Sequence, residues 1–144
     1  MIIGYTTGVY DLFHIGHLNI LKKAKSLCDY LIVGVSIDEL VQKEKNKVPV
    51  IPYEERVEIV KAIRYVDEVV PQVNKNKKEA WDKLKFNKMF VGSDWKDTPQ
   101  WNQFEEQFKP LGVEIIYIPH TDGISSTQLT QFIKKEVNQD NNKV

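Results

Sequence analysis

Gly8-Val9-Tyr10-Asp11-Leu12-Phe13-His14-Ile15-Gly16-His17 is the stretch that decides how this chain folds. Upstream of it, Met1 to Tyr5 is an apolar run, which predicts a buried strand. Downstream, Leu18, Leu21, Ala24 and Leu27 recur at helical spacing. The ten residues between therefore turn a first strand into a first helix. A helix start presents unpaired backbone N–H groups and a partial positive charge, and both suit phosphate. His14 and His17 stand three apart, so inside one helical turn they share a face. Gly16 between them carries no side chain and lets a ligand approach the backbone. Imidazoles in that position donate to phosphate oxygens and can take up positive charge.

Two other readings compete for the histidines. A metal site is disfavoured because His-x-x-His lacks the i, i+4 spacing of the zinc helix. Asp11 lies before the helix and no nearby carboxylate completes a ligand set, so no metal ligands are expected in the chain. A purely structural pair is the second. Placement at the end of strand one favours phosphate handling over both.

The 144 residues bound the architecture to one domain with a substantial core, and 42% hydrophobic content with 28% charged argues against disorder. Lys plus Arg equals Asp plus Glu at 20 each, so no global field draws the chain to nucleic acid or to an anionic membrane. The basic residues cluster at Lys43–Lys47 and Lys75–Lys78, as solvated charge runs usually do. Cys28 is the single cysteine and reads as a structural thiol, which excludes an internal disulfide. No signal peptide and no apolar run of membrane-spanning length stands in the sequence, so the cytoplasm is the expected compartment.

Strand and helix alternate along the whole chain. Asp29 to Ser36, Val66 to Val70, Lys88 to Gly92 and Gly112 to Ile118 are the further strands, the second of these expected to stop at Pro71. Helices are expected over Ile37–Gln42, from Pro52 to Arg64 or Tyr65, over Asn74–Leu84 and over Gln100–Phe108. A last one is expected from Thr127 to about Val137. Lys43 to Ile51 and Ser93-Asp94-Trp95 read as loops. Continuous apolar strands separated by helices predict an α/β fold, a doubly wound parallel sheet of five strands with helices on both faces. One domain over residues 1–137 is expected, followed by a polar tail at 138–144. In such sheets ligands sit beyond the carboxyl ends of the strands, where the histidine stretch, Asp94 and the segment from His120 all fall.

That last segment is His120-Thr121-Asp122-Gly123-Ile124-Ser125-Ser126-Thr127. Gly123 permits a tight turn, and three hydroxyl residues open a helix, which makes an anion site out of neutral donors. Alone, it would be a plain N-cap. Beside the histidines at the same sheet end, it reads as a second phosphate-handling element.

Taken together, Gly-x-Tyr-Asp-x-x-His-x-Gly-His at 8–17 and Thr-Asp-Gly-Ile-Ser-Ser-Thr at 121–127 resemble the cytidylyltransferases of the His-x-Gly-His nucleotidyltransferase superfamily. Further matches are Asp29–Val33, Tyr53-Glu54-x-Arg56, Ile63–Val69 and Gly92–Trp95, so the likeness spans residues 1 to about 136. His-x-Gly-His marks the superfamily, and the Gly-Ile-Ser segment points to its CTP-using, phospho-alcohol branch. The resemblance implies a Rossmann-like fold and a reaction in which an alcohol phosphate attacks the α-phosphorus of CTP. The products are a CDP-alcohol and pyrophosphate, with no covalent enzyme intermediate. It implies His14, His17 and Lys47 as catalytic groups, with Val9, Tyr10, Ile15, Gly16, Asp94 and residues His120 to Thr127 around the nucleotide. Lys45, Arg64 and Lys78 are implied on the acceptor, with Lys43 a further candidate in the lysine run. Mg²⁺ accompanying CTP, a homodimer, glycerol 3-phosphate as acceptor and a role in making a cell-surface polymer are implied in the same way.

One departure stands out. The family carries arginine immediately before the Thr-x-Gly-Ile-Ser segment, and this chain carries His120. Arginine is always charged, whereas a histidine can be neutral, so a permanent positive charge beside the triphosphate is lost. Weaker CTP binding or a different acceptor would follow. Glycerol 2-phosphate, phosphoethanolamine and phosphocholine are the alternative acceptors, an adenylyltransferase is a more distant relative, and a catalytically inactive nucleotide-binding sensor is the reading from another class.

Overall fold

A computed structural model describes residues 1–120. Five strands, β1 (Ile3–Gly8), β2 (Tyr30–Ser36), β3 (Glu68–Gln72), β4 (Lys88–Gly92) and β5 (Glu114–Ile118), form one sheet in the order β3-β2-β1-β4-β5. All four pairings are parallel. The helices are α1 (Ile15–Ser26), α2 (Asp38–Lys45), α3 (Tyr53–Lys61), α4 (Lys77–Leu84) and α5 (Pro99–Phe108).

Alternation along the strands sends side chains to two cores. Leu31, Val33 and Val35 of β2 join Phe90 of β4 beneath α1 and α3, with Leu21, Ala24 and Val60 packed on them. Ile32 and Met89, one residue out of phase, join Tyr5 beneath α4 and α5, with Trp101 and Phe108. Both faces of the sheet are therefore covered, as the parallel pairing requires. Leu21 and Phe108 are wholly buried, and each contributes about 2–3 kcal/mol through the apolar surface it removes from water.

Several boundaries differ from the expectation, each for a physical reason. β1 runs on through Thr6, Thr7 and Gly8, because β2 pairs with it as far as Gly8. β3 contains Pro71 and extends to Gln72; it is an edge strand, where a missing N–H costs no ladder bond. α2 continues to Lys45 and stops at Asn46, which adopts the left-handed conformation at φ 52°. α4 begins at Lys77, not Asn74, because the Asn76 side chain accepts from the Glu79 N–H. Ser93–Trp95 forms a 3-10 turn. The last helix expected from Thr127, and the hydroxyl-rich segment before it, lie outside the described residues.

The strand order reverses between β1 and β4, since β2 and β3 lie to one side and β5 to the other. A sheet wound this way opens a crevice at the carboxyl ends of the two central strands. β1 ends at Gly8 and β4 at Gly92, so those two glycines stand at its floor.

Candidate active site

Beyond Gly8 the chain turns through two left-handed residues that are not glycine, Tyr10 at φ 56° and Leu12 at φ 49°. Such conformations persist where the surroundings over-determine them. Tyr10 is buried, with its ring against Gly8; a Cβ at Gly8 would come within 2.9 Å of that ring. Asp11 accepts from the backbone N–H groups of Val50 and Ile51 at 2.8 and 2.9 Å, which ties the turn to the lysine-bearing loop.

His14 then becomes the N-cap of α1. Its Nδ1 accepts from the Gly16 N–H at 3.0 Å, and its own N–H donates to Nδ1 of His17 at 3.2 Å. The two rings stack with centroids 4.0 Å apart. This is a capping box built from imidazoles. Because each Nδ1 is an acceptor, the proton of each neutral ring sits on Nε2. Nε2 of His14 is buried and has no hydrogen-bond partner among the described residues. An N–H donor held there at a helix start is ready for an anion.

Charge on these rings is disfavoured in the absence of an anion. Desolvation lowers His17 to about 4, with the neighbouring His14 adding to the effect and Asp11 opposing it. Phe13 and Tyr10 pack beside its ring, at centroid distances of 5.2 and 5.5 Å. Burial lowers His14 as well. A bound polyphosphate would reverse both shifts, since an opposite charge favours the cation.

The crevice is a cavity of about 370 Å³, and three lysines line it together with the histidines: Lys45 at the end of α2, Lys47 in the loop that follows and Lys77 at the start of α4. Lys45 is lowered, first by desolvation and then by the charges of Lys47 and Lys75. Lys77 is buried, its ammonium donates to Thr7 Oγ1 at 3.0 Å, and it lies 5.9 Å from the Trp101 ring centre. Burial drops Lys77 to about 8, with Lys75 contributing. Clustered ammonium groups that depress one another want an anion between them.

A further part of the wall is β4 together with residues that follow β4 and β5. His120 Nε2 meets Asp94 Oδ2 at 3.0 Å, and both line the cavity. Gly92 makes room for this imidazole: a Cβ there would stand 2.7 Å from Nε2 of His120. Trp95 is partly exposed and also lines the cavity.

Val9, Tyr10, His14, Gly16, His17, Lys45, Lys47, Asp94 and His120 thus line one space. Ile15 opens the helix but its side chain is exposed and off the lining. Lys78, expected on the acceptor, instead pairs with Asp82 at 2.7 Å on the outer face of α4, and its neighbour Lys77 takes the place at the cavity. Arg64 is exposed, beside the Tyr65 ring at 5.9 Å and away from the cavity. Thr121, Asp122, Gly123, Ile124, Ser125, Ser126 and Thr127 lie outside the described residues. The signal for Lys77 was in the periodicity: Lys77, Ala80, Trp81 and Leu84 fall on one helical face, the apolar face of α4.

Among the described residues no three His, Cys, Asp or Glu side chains gather as metal ligands. Both carboxylate oxygens of Asp11 accept backbone N–H groups, and Asp94 pairs with His120.

An open parallel sheet with a cation-lined, phosphate-ready crevice at its reversal point defines a nucleotide-binding α/β protein of the nucleotidyltransferase class. The chain belongs to the cytidylyltransferase-like family, which it matches over residues 5–132. It is 42% identical over 126 residues to glycerol-3-phosphate cytidylyltransferase of Bacillus spizizenii, covering 86% of this chain and 91% of that one. It is 37% identical over 131 residues to FAD synthase of Pyrococcus abyssi, covering 89% and 87%. Its fold is similar to the crystal structure of a lipopolysaccharide core biosynthesis protein from Thermoplasma volcanium. The TM-score is 0.71 at 23% identity, covering 86% of this chain and 99% of that one.

Proposed function

We propose that the protein transfers CMP from CTP to glycerol 3-phosphate, releasing pyrophosphate and CDP-glycerol. The observation that carries this reading is the convergence of the His14–His17 pair and of Lys45, Lys47 and Lys77 on one cavity, in a chain 42% identical to a glycerol-3-phosphate cytidylyltransferase.

The chemistry asks for alignment and charge neutralisation, not for a protein nucleophile. An oxygen of the acceptor phosphate attacks the α-phosphorus of CTP. The new P–O bond forms as the bond to the β-phosphate oxygen breaks, and pyrophosphate leaves with the electron pair. His14 and His17 donate from Nε2 to the phosphates as charge moves onto the leaving group. Lys47 neutralises the triphosphate, and Lys45 and Lys77 draw the acceptor dianion toward it. On the strength of the family resemblance, residues 120–127 would hold the β and γ phosphates. Mg²⁺ enters with the triphosphate as part of the substrate. A homodimer in the cytoplasm, feeding a cell-surface polymer that carries glycerol phosphate, completes the proposal on the strength of the family resemblance. No helix among the described residues is long and apolar enough to cross a membrane.

The experiment is pyrophosphate release with Mg²⁺, each nucleoside triphosphate and a panel of phospho-alcohols. Turnover confined to CTP with glycerol 3-phosphate is the expected result. Turnover with phosphoethanolamine or phosphocholine would move the acceptor, and nucleotide binding without pyrophosphate would make the protein a sensor. The likeness to a FAD synthase favours a second reading, adenylyl transfer; turnover with ATP and a flavin phosphate would establish it. Sedimentation of the native chain tests the dimer.

A further inference from the structure

Nothing in the phosphate chemistry above uses Asp11 or Arg56, yet these two residues hold the Ile51 peptide from both ends. The Asp11 carboxylate receives the N–H groups of Val50 at 2.8 Å and Ile51 at 2.9 Å. Arg56, wholly buried on α3, donates from Nε to the Ile51 carbonyl at 2.9 Å. The same guanidinium donates from Nη1 to the Val9 carbonyl at 2.6 Å and to the Ser36 carbonyl at 2.8 Å. Its Nη2 meets Asp38 Oδ1 at 2.6 Å, and the other Asp38 oxygen accepts from the Tyr53 N–H at 3.3 Å.

Three loops at the carboxyl end of the sheet meet in this arrangement. Val9 and Asp11 belong to the histidine turn and flank Tyr10, one of its left-handed residues. Ser36 and Asp38 belong to the β2–α2 junction. Val50 and Ile51 are the stem of the loop that carries Lys47, whose Pro49 is buried against the cavity. A planar guanidinium with fixed donor directions holds carbonyls in a set geometry that a flexible ammonium cannot. Two left-handed residues in the histidine turn are also a conformation that external bonds must sustain.

We propose that Asp11 and Arg56 are positioning residues that lock the histidine turn and the lysine loop into one body, so that nucleotide captured at His14 and His17 sets where Lys45 meets the acceptor. The substrate roles in that statement rest on the proposed cytidylyl transfer; the mechanical lock does not.

Val50 offers a test from outside the cavity. Its side chain is 55% exposed and is absent from the lining, while its N–H is one of the two that Asp11 receives. Val50→Pro removes that donor and also fixes φ at residue 50. In the protein without ligand, Val50→Pro should shift the imidazole ¹⁵N resonances of His14 and His17. Unshifted imidazoles in Val50→Pro would overturn the lock. With CTP and glycerol 3-phosphate, each single variant should raise the acceptor KM about tenfold while CTP affinity stays within about threefold. The double variant should be no worse than either single one, because both remove the same link. Effects that multiply, or an unchanged KM, would also overturn the proposal. Arg56→Lys serves as the third variant and should split KM from CTP affinity in the same way. Shifted imidazoles in Val50→Pro, with a native chain that releases no pyrophosphate, would sink the cytidylyl-transfer reading and leave the lock standing.

Discussion

The His14 N–H donates to Nδ1 of His17 at 3.2 Å, so the two candidate catalytic rings are also each other's scaffold at the head of α1. Capping and catalysis use different ring nitrogens and can be separated. Asn is among the best N-cap residues but presents no donor where Nε2 of the imidazole stands. His14→Asn should keep the melting temperature within about 2 °C of native and lower turnover by at least about a hundredfold, the scale for losing one transition-state donor. His14→Ala should lose the same turnover and, in addition, about 1 kcal/mol of stability. Melting curves beside pyrophosphate release measure both. Full turnover in His14→Asn would reduce His14 to a cap.

Lys77 shows a conflict between stability and function that pH exposes. Burial lowers it from 10.5 to about 8, so the cation is disfavoured in the fold by about 3 kcal/mol. Between those two values the unfolded chain binds more protons than the native one, and stability should therefore rise with pH across that window. Acceptor binding should move the other way, since the ammonium is lost above about 8. The acceptor KM is expected to climb above pH 8 while the melting temperature gains. Lys77→Met should flatten both trends, raise the melting temperature at pH 7 and raise the acceptor KM at least tenfold. A KM flat from pH 7 to 9.5 in the native protein would remove Lys77 from the acceptor site.

How far the amino-acid order reveals this structure varies with the kind of signal. Strands such as Leu31 to Val35 are visible because a parallel sheet buries both faces, which leaves an unbroken apolar run. The histidine turn is visible because β1 and α1 carry different periods on either side of it. Lys77 and Lys78 are not separable by composition; only the 100° step between adjacent helical positions sends one to the cavity and the other to Asp82. Pro71 misled because proline forbids a central strand but not an edge, and the edge is a property of the assembled sheet. Arg56 was one letter in a matched motif. Its burial and its bonds to Val9, Ser36 and Ile51 depend on three loops meeting, which no local pattern encodes.

Acid should weaken the fold through His17 before it reaches most carboxylates. Desolvation lowers this ring from 6.5 to about 4, so between those values the unfolded chain holds the extra proton. Stability contributed by the neutral ring is present above pH 6.5 and is lost as pH falls toward 4. His14, also lowered by burial, acts in the same direction. The melting temperature is expected to decline across this window, and His17→Gln should flatten the decline relative to native. Parallel curves for the two proteins would show that His17 is not held neutral by its surroundings.

His120 stands where the family resemblance leads one to expect arginine, and its position depends on Gly92 and Asp94. A guanidinium there would carry a permanent charge toward the triphosphate and could still reach the Asp94 carboxylate. His120→Arg should therefore tighten CTP by roughly three- to tenfold at low salt, with the gain shrinking as ionic strength rises. Gly92→Ala supplies the steric counterpart: its new Cβ would sit 2.7 Å from Nε2 of His120 and drive the ring off its place. CTP affinity should fall in Gly92→Ala, and in a His120→Gln background the same substitution should change it by less than about twofold, because its effect is transmitted through the ring. Equal losses in both backgrounds, measured by calorimetric titration of CTP, would mean that Gly92 acts on the nucleotide directly and that His120 does not bind it.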